Sequence, residues 1–192
     1  YIHVWDLPVP DISTQSPMEI CADNDLVIEA SVTGGSGNYV RYTWTGDGIT
    51  YLSETDVLQP TFNSEIDATY NLNLEVEDSN GCINNDNDQV LVHPNPTPEI
   101  NPNPAVVCQY EVLELGTDMG MTEYEWTGDV QILNSTSVFN PDVNTSNPGE
   151  YNLLLQVTDN NGCIGNTSVP VIIRANPVVD AGPDQTYDQG LT

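Results

Sequence analysis

Four cysteines are the residues of this chain whose chemistry is easiest to interpret. Cys21 and Cys82 lie in the first half of the sequence, and Cys108 and Cys163 lie in the second half. Pairing within each half is the simplest of the three connectivities that four cysteines allow, so we expect two disulfides. Disulfides imply an oxidising compartment and therefore export. Four free thiols and a zinc site are the alternatives, but no Cys-x-x-Cys motif or nearby histidine pair supports a zinc site.

Acidic side chains dominate the charge of the chain. Its 29 Asp and Glu residues face only two Lys and Arg residues, and the formal net charge is -27. This charge repels nucleic acids and anionic lipid surfaces, so we predict neither a nucleic-acid partner nor direct membrane insertion. Calcium is the one cofactor that the composition favours, because it takes six to eight oxygen ligands. The candidate ligands lie in or near turns and are Asp78, Asn80, Asp159, Asn161, Asp86, Asp88, Asp180 and Asp184. The alternative role for turn Asp and Asn residues is local hydrogen bonding to the backbone.

A catalytic role is not predicted for this sequence. His3 and His93 are the two histidines that could act as a general base near neutral pH. They occupy positions that do not correspond to one another, and no nucleophile motif such as Gly-x-Ser-x-Gly accompanies them. Carboxylate pairs carry little information in so acidic a chain. We therefore predict that the chain is not an enzyme.

The sequence contains two copies of one unit. The segment YTWTGD at residues 42–47 recurs as YEWTGD at residues 124–129, and YNLNLEVEDSNGCI at residues 70–83 recurs as YNLLLQVTDNNGCI at residues 151–164. An internal repeat of this length indicates tandem domains. We expect the last strand of a preceding repeat at residues 1–9, complete repeats at 10–97 and 98–177, and the start of a following repeat at 178–192.

Alternating apolar and polar residues predict an all-β fold. Tyr70, Leu72, Leu74 and Val76 would lie on one face of a strand, with polar residues on the other face. The Asn-Gly pairs that follow this block in both copies are typical of hairpin turns. Several short strands with a tryptophan in a middle strand indicate an immunoglobulin-like β-sandwich. We expect Trp44, Trp126, Tyr70 and Tyr151 to be anchors of the two cores.

The repeats also resemble a known family. The motif Tyr-x-Trp-Thr-Gly, the Tyr-Asn-Leu block ending in Asn-Gly-Cys, and the segment Asp-Ala-Gly-Pro-Asp-Gln at residues 180–185 are similar to PKD-like and immunoglobulin-like repeats of large Bacteroidota surface proteins. Gliding-motility adhesins and other type IX-secreted proteins carry such repeats. The resemblance implies a non-catalytic segment of an extracellular, cell-surface protein.

The resemblance leads to one main functional hypothesis and two alternatives. We expect a semi-rigid, disulfide-locked stalk of tandem β-sandwiches that presents a distal binding region for cell adhesion. Its partners would be neighbouring repeats of the same chain, with surface glycans or other cell-surface proteins as further candidates. The alternatives are a carbohydrate-binding or spacer module of a secreted polysaccharide-degrading enzyme, in which Trp44 and Trp126 would stack on sugars, and a subunit of an extracellular filament.

Overall fold

The computed structural model describes residues 4–13 and 16–184 and contains two compact units. The first unit consists of the residues up to Thr97 together with Val157–Gly165. The second consists of Pro98–Gln156 together with the residues from Asn166 onward. The hairpin of the second sequence copy is therefore part of the first unit. The position of this hairpin bears directly on how the cysteines pair.

The first unit is built from short strands and one 3₁₀ helix. Its elements are β1 (Pro8–Asp11), β2 (Met18–Cys21), β3 (Leu26–Val27), β4 (Ser31–Gly34), β5 (Tyr39–Thr45), the 3₁₀ helix (Asp47–Tyr51), β6 (Thr61–Phe62), β7 (Thr69–Asp78) and β8 (Ile83–His93). Four strands form a sheet in the order β2-β8-β7-β5, while β1 pairs with β4 and β3 pairs with β6. Strand β2 runs parallel to β8, and β7 and β8 form an antiparallel hairpin. The all-β prediction is confirmed.

The core of the first unit lies under the β7–β8 hairpin. Tyr70, Leu72, Leu74 and Val76 are all buried on one face of β7, in agreement with their alternation in the sequence. The remaining core residues are Ile12, Met18, Ala22, Ile28, Ala30, Trp44, Phe62, Val90 and Val92. The period-two pattern thus marks the face that the sheet turns inward.

The second unit repeats the main sheet with fewer regular strands. Its elements are β9 (Ala105–Cys108), β10 (Glu123–Gly128), a 3₁₀ helix (Val130–Ile132), β11 (Gly149–Thr158) and β12 (Ile164–Arg174). The last two residues of β11 and the first two of β12 belong to the hairpin that is part of the first unit. The sheet order is β10-β11-β12-β9, and β9 runs parallel to β12. β9, β10, β11 and β12 therefore take the places that β2, β5, β7 and β8 take in the first unit.

The glycine of the recurring Thr-Gly-Asp motif lies close to the backbone of a neighbouring strand. A Cβ atom on Gly46 would lie 2.2 Å from the carbonyl oxygen of Asn71, and one on Gly128 would lie 2.5 Å from that of Asn152. Both glycines have positive φ angles, 114° and 86°. The aspartate of each motif then accepts the backbone N–H of the same asparagine. Glycine is required because any side chain would collide with the neighbouring strand.

The predicted repeat boundaries can be compared with the structure at both ends of the described chain. Pro8 and Val9, expected in the last strand of a preceding repeat, belong to β1, which pairs with β4 of the first unit. The first unit therefore begins at Pro8 or earlier. Residues 178–184 contain no strand. The ends of the chain at residues 1–3 and 185–192, with His3 and most of the expected following repeat, lie outside the described residues.

Candidate functional site: the cysteine turns and hairpins

Each copy carries one cysteine in a tight hairpin, and the two hairpins have the same hydrogen bonds. We call Cys82 and Cys163 the hairpin cysteines. The Asp78 Oδ1 atom accepts the backbone N–H groups of Asn80 and Cys82, both at 2.9 Å. Asp159 makes the equivalent bonds to the second hairpin, to Asn161 and Cys163, both at 2.8 Å. The aspartate therefore closes the turn and holds the cysteine backbone in place.

Burial and charge together define the environment of the first hairpin. Asp78 is only 1% exposed. Burial alone would raise the pKa of this carboxyl group, but the N–H groups of Cys82, Ser36 and Asn80 outweigh that effect and lower it. The pKa of the Cys82 thiol is raised, first by burial and then by the negative charge of Asp78. Cys82 therefore forms little thiolate at neutral pH.

The other cysteine of each copy ends a strand and opens a turn. We call Cys21 and Cys108 the turn cysteines. Two residues after each of them the backbone has a positive φ, 66° at Asp23 and 68° at Tyr110. The next N–H group then donates back to the cysteine carbonyl, at 3.2 Å in the first copy and 3.1 Å in the second. The two turns therefore share one conformation.

One disulfide is formed, and it joins a turn cysteine to a hairpin cysteine. Cys21 is bonded to Cys163, 142 residues away, with a Cα–Cα distance of 5.5 Å. Cys82 and Cys108 are free thiols, the first half-buried and the second exposed. The predicted pairing of Cys21 with Cys82 and of Cys108 with Cys163 is therefore wrong. The bond links the two sequence copies instead of locking each one.

The geometry of the sheet explains why pairing within a copy fails. Cys21 pairs in register with His93 at the end of β8, whereas Cys82 immediately precedes Ile83 at its start. Ten steps along an extended strand span roughly 33 Å. A disulfide needs Cα atoms within about 7 Å of each other. Cys108 and Cys163 lie at opposite ends of β12 in the same way.

The predicted aromatic anchors differ in how deeply they are buried. Trp44 and Trp126 are each 2% exposed, and their Nε1 atoms donate to main-chain carbonyls at 2.7 and 2.8 Å. Neither ring is available to stack on a sugar. Tyr70 is buried and Tyr151 is half-buried. The hydroxyl of each donates to the carbonyl four residues upstream, on Ile66 for Tyr70, at 3.1 Å.

The predicted calcium ligands are not brought together. Within residues 4–13 and 16–184, no three His, Cys, Asp or Glu side chains are placed to hold a metal ion. Asp78 and Asp159 close the hairpins and Asp86 accepts the N–H of Ile12, while Asp88 accepts the hydroxyl of Ser16. Asp180 accepts the N–H of Gly182, and Asp184 is exposed. Hydrogen bonds thus occupy five of the six candidate carboxylates, local ones for Asp78, Asp159 and Asp180 and long-range ones for Asp86 and Asp88. Asn80 and Asn161 lie in the hairpin turns themselves.

Of the two histidines, His93 lies within the described residues, and it is paired with a carboxylate. The Nε2 atom of His93 lies 3.0 Å from the Glu19 carboxylate, across the paired strands β8 and β2. The Glu19 side chain is exposed, whereas that of His93 is largely covered. In the part of the chain that the structure describes, no helix has the length and apolar character needed to cross a bilayer.

Solved structures resemble this chain in fold. Three N-terminal domains of the highly immunogenic outer capsid protein of bacteriophage RB49 match with a TM-score of 0.50 and 9% identity, covering 90% of this chain and 71% of theirs. The chain has an all-β, immunoglobulin-like sandwich fold. Fibronectin(III)-like modules of CbhA from Clostridium thermocellum match with a TM-score of 0.37 and 14% identity, covering 93% and 100% of the two chains. Four N-terminal Ig domains of Dscam1 isoform 7.44 match with 0.37 and 10%, covering 89% and 46%.

Sequence comparison adds no relative to these structures. No family model matches the chain, and no similar curated protein is found. The immunoglobulin-like fold is shared by structural and binding domains, so it is compatible with a non-catalytic module. The disulfide favours an oxidising environment.

Proposed function

We propose that the chain is a non-catalytic stalk segment of a large secreted cell-surface protein of the gliding-motility adhesin type, which holds a distal binding region away from the cell. The observation that carries the proposal is the bond from Cys21 to Cys163, which connects one sequence copy to the next. A covalent bond between the copies limits how far they can separate and how far the chain can bend at the linker. The resemblance of the repeats to PKD-like surface repeats supports the same role.

The linker residues support a semi-rigid stalk. Pro96 and Pro98 each fix one φ angle and favour an extended backbone between the copies. The Asn95 side chain donates to the carbonyl of Ala22 at 3.0 Å, next to the turn cysteine. The start of the linker is therefore tied to the same turn that carries the disulfide. Together these features restrict bending where a flexible tandem protein would bend.

The charge of the chain supports an extended role outside the cell. A net charge of -27 keeps neighbouring chains soluble and apart, over distances of about 10 Å at moderate salt. Trp44 and Trp126, the two rings that the carbohydrate-binding alternative would use, are buried. The extracellular location and the type IX secretion route are parts of this proposal.

Small-angle X-ray scattering of the oxidised chain tests the proposed stiffness. The Cys21→Ser variant removes the bond, and the Cys108→Ser variant is the matched control because Cys108 is an exposed free thiol. We expect the Cys21→Ser chain to sample a broader range of dimensions, while the control scatters like the wild type. Identical scattering from all three proteins would refute a stalk stiffened by this bond.

A further inference from the structure

The two unused cysteines are of the two complementary kinds. The observed bond joins one turn cysteine, Cys21, to one hairpin cysteine, Cys163. The free thiols are the other turn cysteine, Cys108, and the other hairpin cysteine, Cys82. The chain therefore carries one complete bond of this type, and one unpaired cysteine of each kind.

Both free cysteines have the local geometry of their bonded counterparts. Cys108 pairs in register with the last residue of β12 and is followed by a positive-φ turn, as Cys21 is on β8. Cys82 donates its N–H to the aspartate that closes its hairpin, as Cys163 does. The free cysteines therefore have the same backbone geometry as the two cysteines that form a disulfide.

The backbone leaving the second copy is also the same as that leaving the first. Asn176 donates to the carbonyl of Gln109 at 3.0 Å, next to Cys108. Asn95 makes the equivalent 3.0 Å bond to Ala22, next to Cys21. A proline follows the asparagine in both cases. The segment that leaves the second copy beside Cys108 therefore begins in the same way as the linker that leaves the first copy beside Cys21.

We propose that Cys82 and Cys108 each bond the complementary cysteine of another copy of the repeat. Cys108 would take the hairpin cysteine of the copy that follows, and Cys82 would take the turn cysteine of the copy that precedes. This inference rests on the proposed tandem stalk. The result is an array in which every junction is closed by one disulfide, so that no copy is attached to its neighbour through the linker alone.

The reaction needs an oxidant, and we assign it to a small-molecule disulfide such as oxidised glutathione. The thiolate of one cysteine attacks the oxidant, whose S–S bond breaks and releases one thiol. The thiolate of the second cysteine then attacks the protein sulfur of this mixed disulfide and releases the other thiol. The two cysteines lose two protons and two electrons, and the oxidant gains both.

The environment of Cys82 makes its thiol slow to react with disulfides other than a correctly placed partner. The pKa of the thiol is raised by burial and by Asp78, which slows attack on other disulfides at neutral pH. Ser36 donates its N–H to the same Asp78 carboxylate at 2.8 Å, so the loop before β5 also packs against this hairpin. These hydrogen bonds hold the backbone of Cys82 in place.

A tandem chain tests the proposal on the intact protein. Residues 1–177 are followed in frame by residues 9–192, which reproduces the native spacing after the proline of each linker. Cys82→Ser in the first block and Cys108→Ser in the second leave one turn cysteine and one hairpin cysteine at the central junction. The protein is folded in a glutathione redox buffer, its thiols are counted with maleimide, and its disulfides are mapped by peptide mass spectrometry.

Three results are informative. We expect loss of all thiol reactivity and a linked peptide pair that contains Cys108 of the first block and Cys82 of the second. If the Cys21–Cys163 bonds form in both blocks while the central pair stays reactive or bonds elsewhere, the inference is overturned and the proposed stalk stands. If the Cys21–Cys163 bonds do not form either, the covalent basis of the proposed function falls as well.

Discussion

Replacing Cys21 by serine removes the single bond between the sequence copies and leaves both free thiols in place. The bond closes a loop of 142 residues, which contains most of both copies and the linker between them. In the chain-entropy model, a loop of this length stabilises the folded state by about 5 kcal/mol at 25 °C. Such a loss corresponds to a fall in melting temperature of roughly 10 to 20 °C for a chain of this size.

Equilibrium unfolding without reductant measures this loss. All proteins carry Trp5→Phe, because Trp5 is exposed and lies in the first unit together with Trp44. The fluorescence of the buried Trp44 and Trp126 then follows one unit each. Cys108→Ser is the matched control, since it changes an exposed thiol and no bond. We expect the Cys21→Ser variant to unfold at a clearly lower denaturant concentration, with the control at the wild-type value. Added reductant should lower the wild type to the level of the variant.

The reasoning fails if the Cys21→Ser chain and the control unfold together. A stabilisation well below 5 kcal/mol has a different meaning, because the model assumes that the whole loop unfolds at once. If the two units unfold in separate steps, the bond constrains only the part that is unfolded. Two separated fluorescence transitions would identify that case.

Three further predictions concern the hairpin and the cores. Asp78 has a lowered pKa when folded, so its contribution to stability is complete above about pH 4 and is lost as the pH falls through the folded-state value. The Asp78→Asn variant should therefore show a flatter loss of stability in acid titrations followed by circular dichroism, and an unchanged acid limb would contradict this. Trp44→Ala empties a core site and leaves the Val57 carbonyl without its donor, so we expect a loss of about 3 to 5 kcal/mol in urea unfolding. A loss below 1 kcal/mol would show that the ring is not a core anchor. Tyr70→Phe removes the hydroxyl that donates to Ile66, and a loss of about 1 to 2 kcal/mol is expected in the same assay, whereas no change would mean that water replaces the bond.

The residue pattern alone predicted much of the local structure. The alternation in the block from Tyr70 to Val76 marked the buried face of β7, and the Asn-Gly pairs marked the hairpins, because both signals depend on neighbouring residues only. The two predicted tryptophan anchors, Trp44 and Trp126, are buried as expected, and so is Tyr70. Tyr151 is half-buried, since exposure there depends on what the second unit packs over the ring.

The sequence left the role of the acidic turn residues open between calcium binding and local backbone hydrogen bonding. Asp78 and Asp159 could equally well have been calcium ligands, because chain position does not show which way a carboxylate points. In the structure the backbone N–H groups of the hairpins occupy them. The recurring Asp-x-Asn-Gly-Cys pattern is the sequence signal for the backbone-bonding role, since the side chain of a turn aspartate bonds to the N–H two residues on.

Sequence by itself determined the strands, the hairpins and the correspondence between the two copies, since each of these follows from local periodicity or from self-similarity. Only the tertiary structure decided which cysteines bond. Strand β2 pairs parallel to the far end of β8, so Cys21 lies a full strand length away from the hairpin cysteine of its own copy. Strand pairing, a contact between residues distant in the chain, sets the end of the sheet at which each sulfur lies. Spacing along the sequence carries no record of it, and for that reason the simplest pairing was the wrong one.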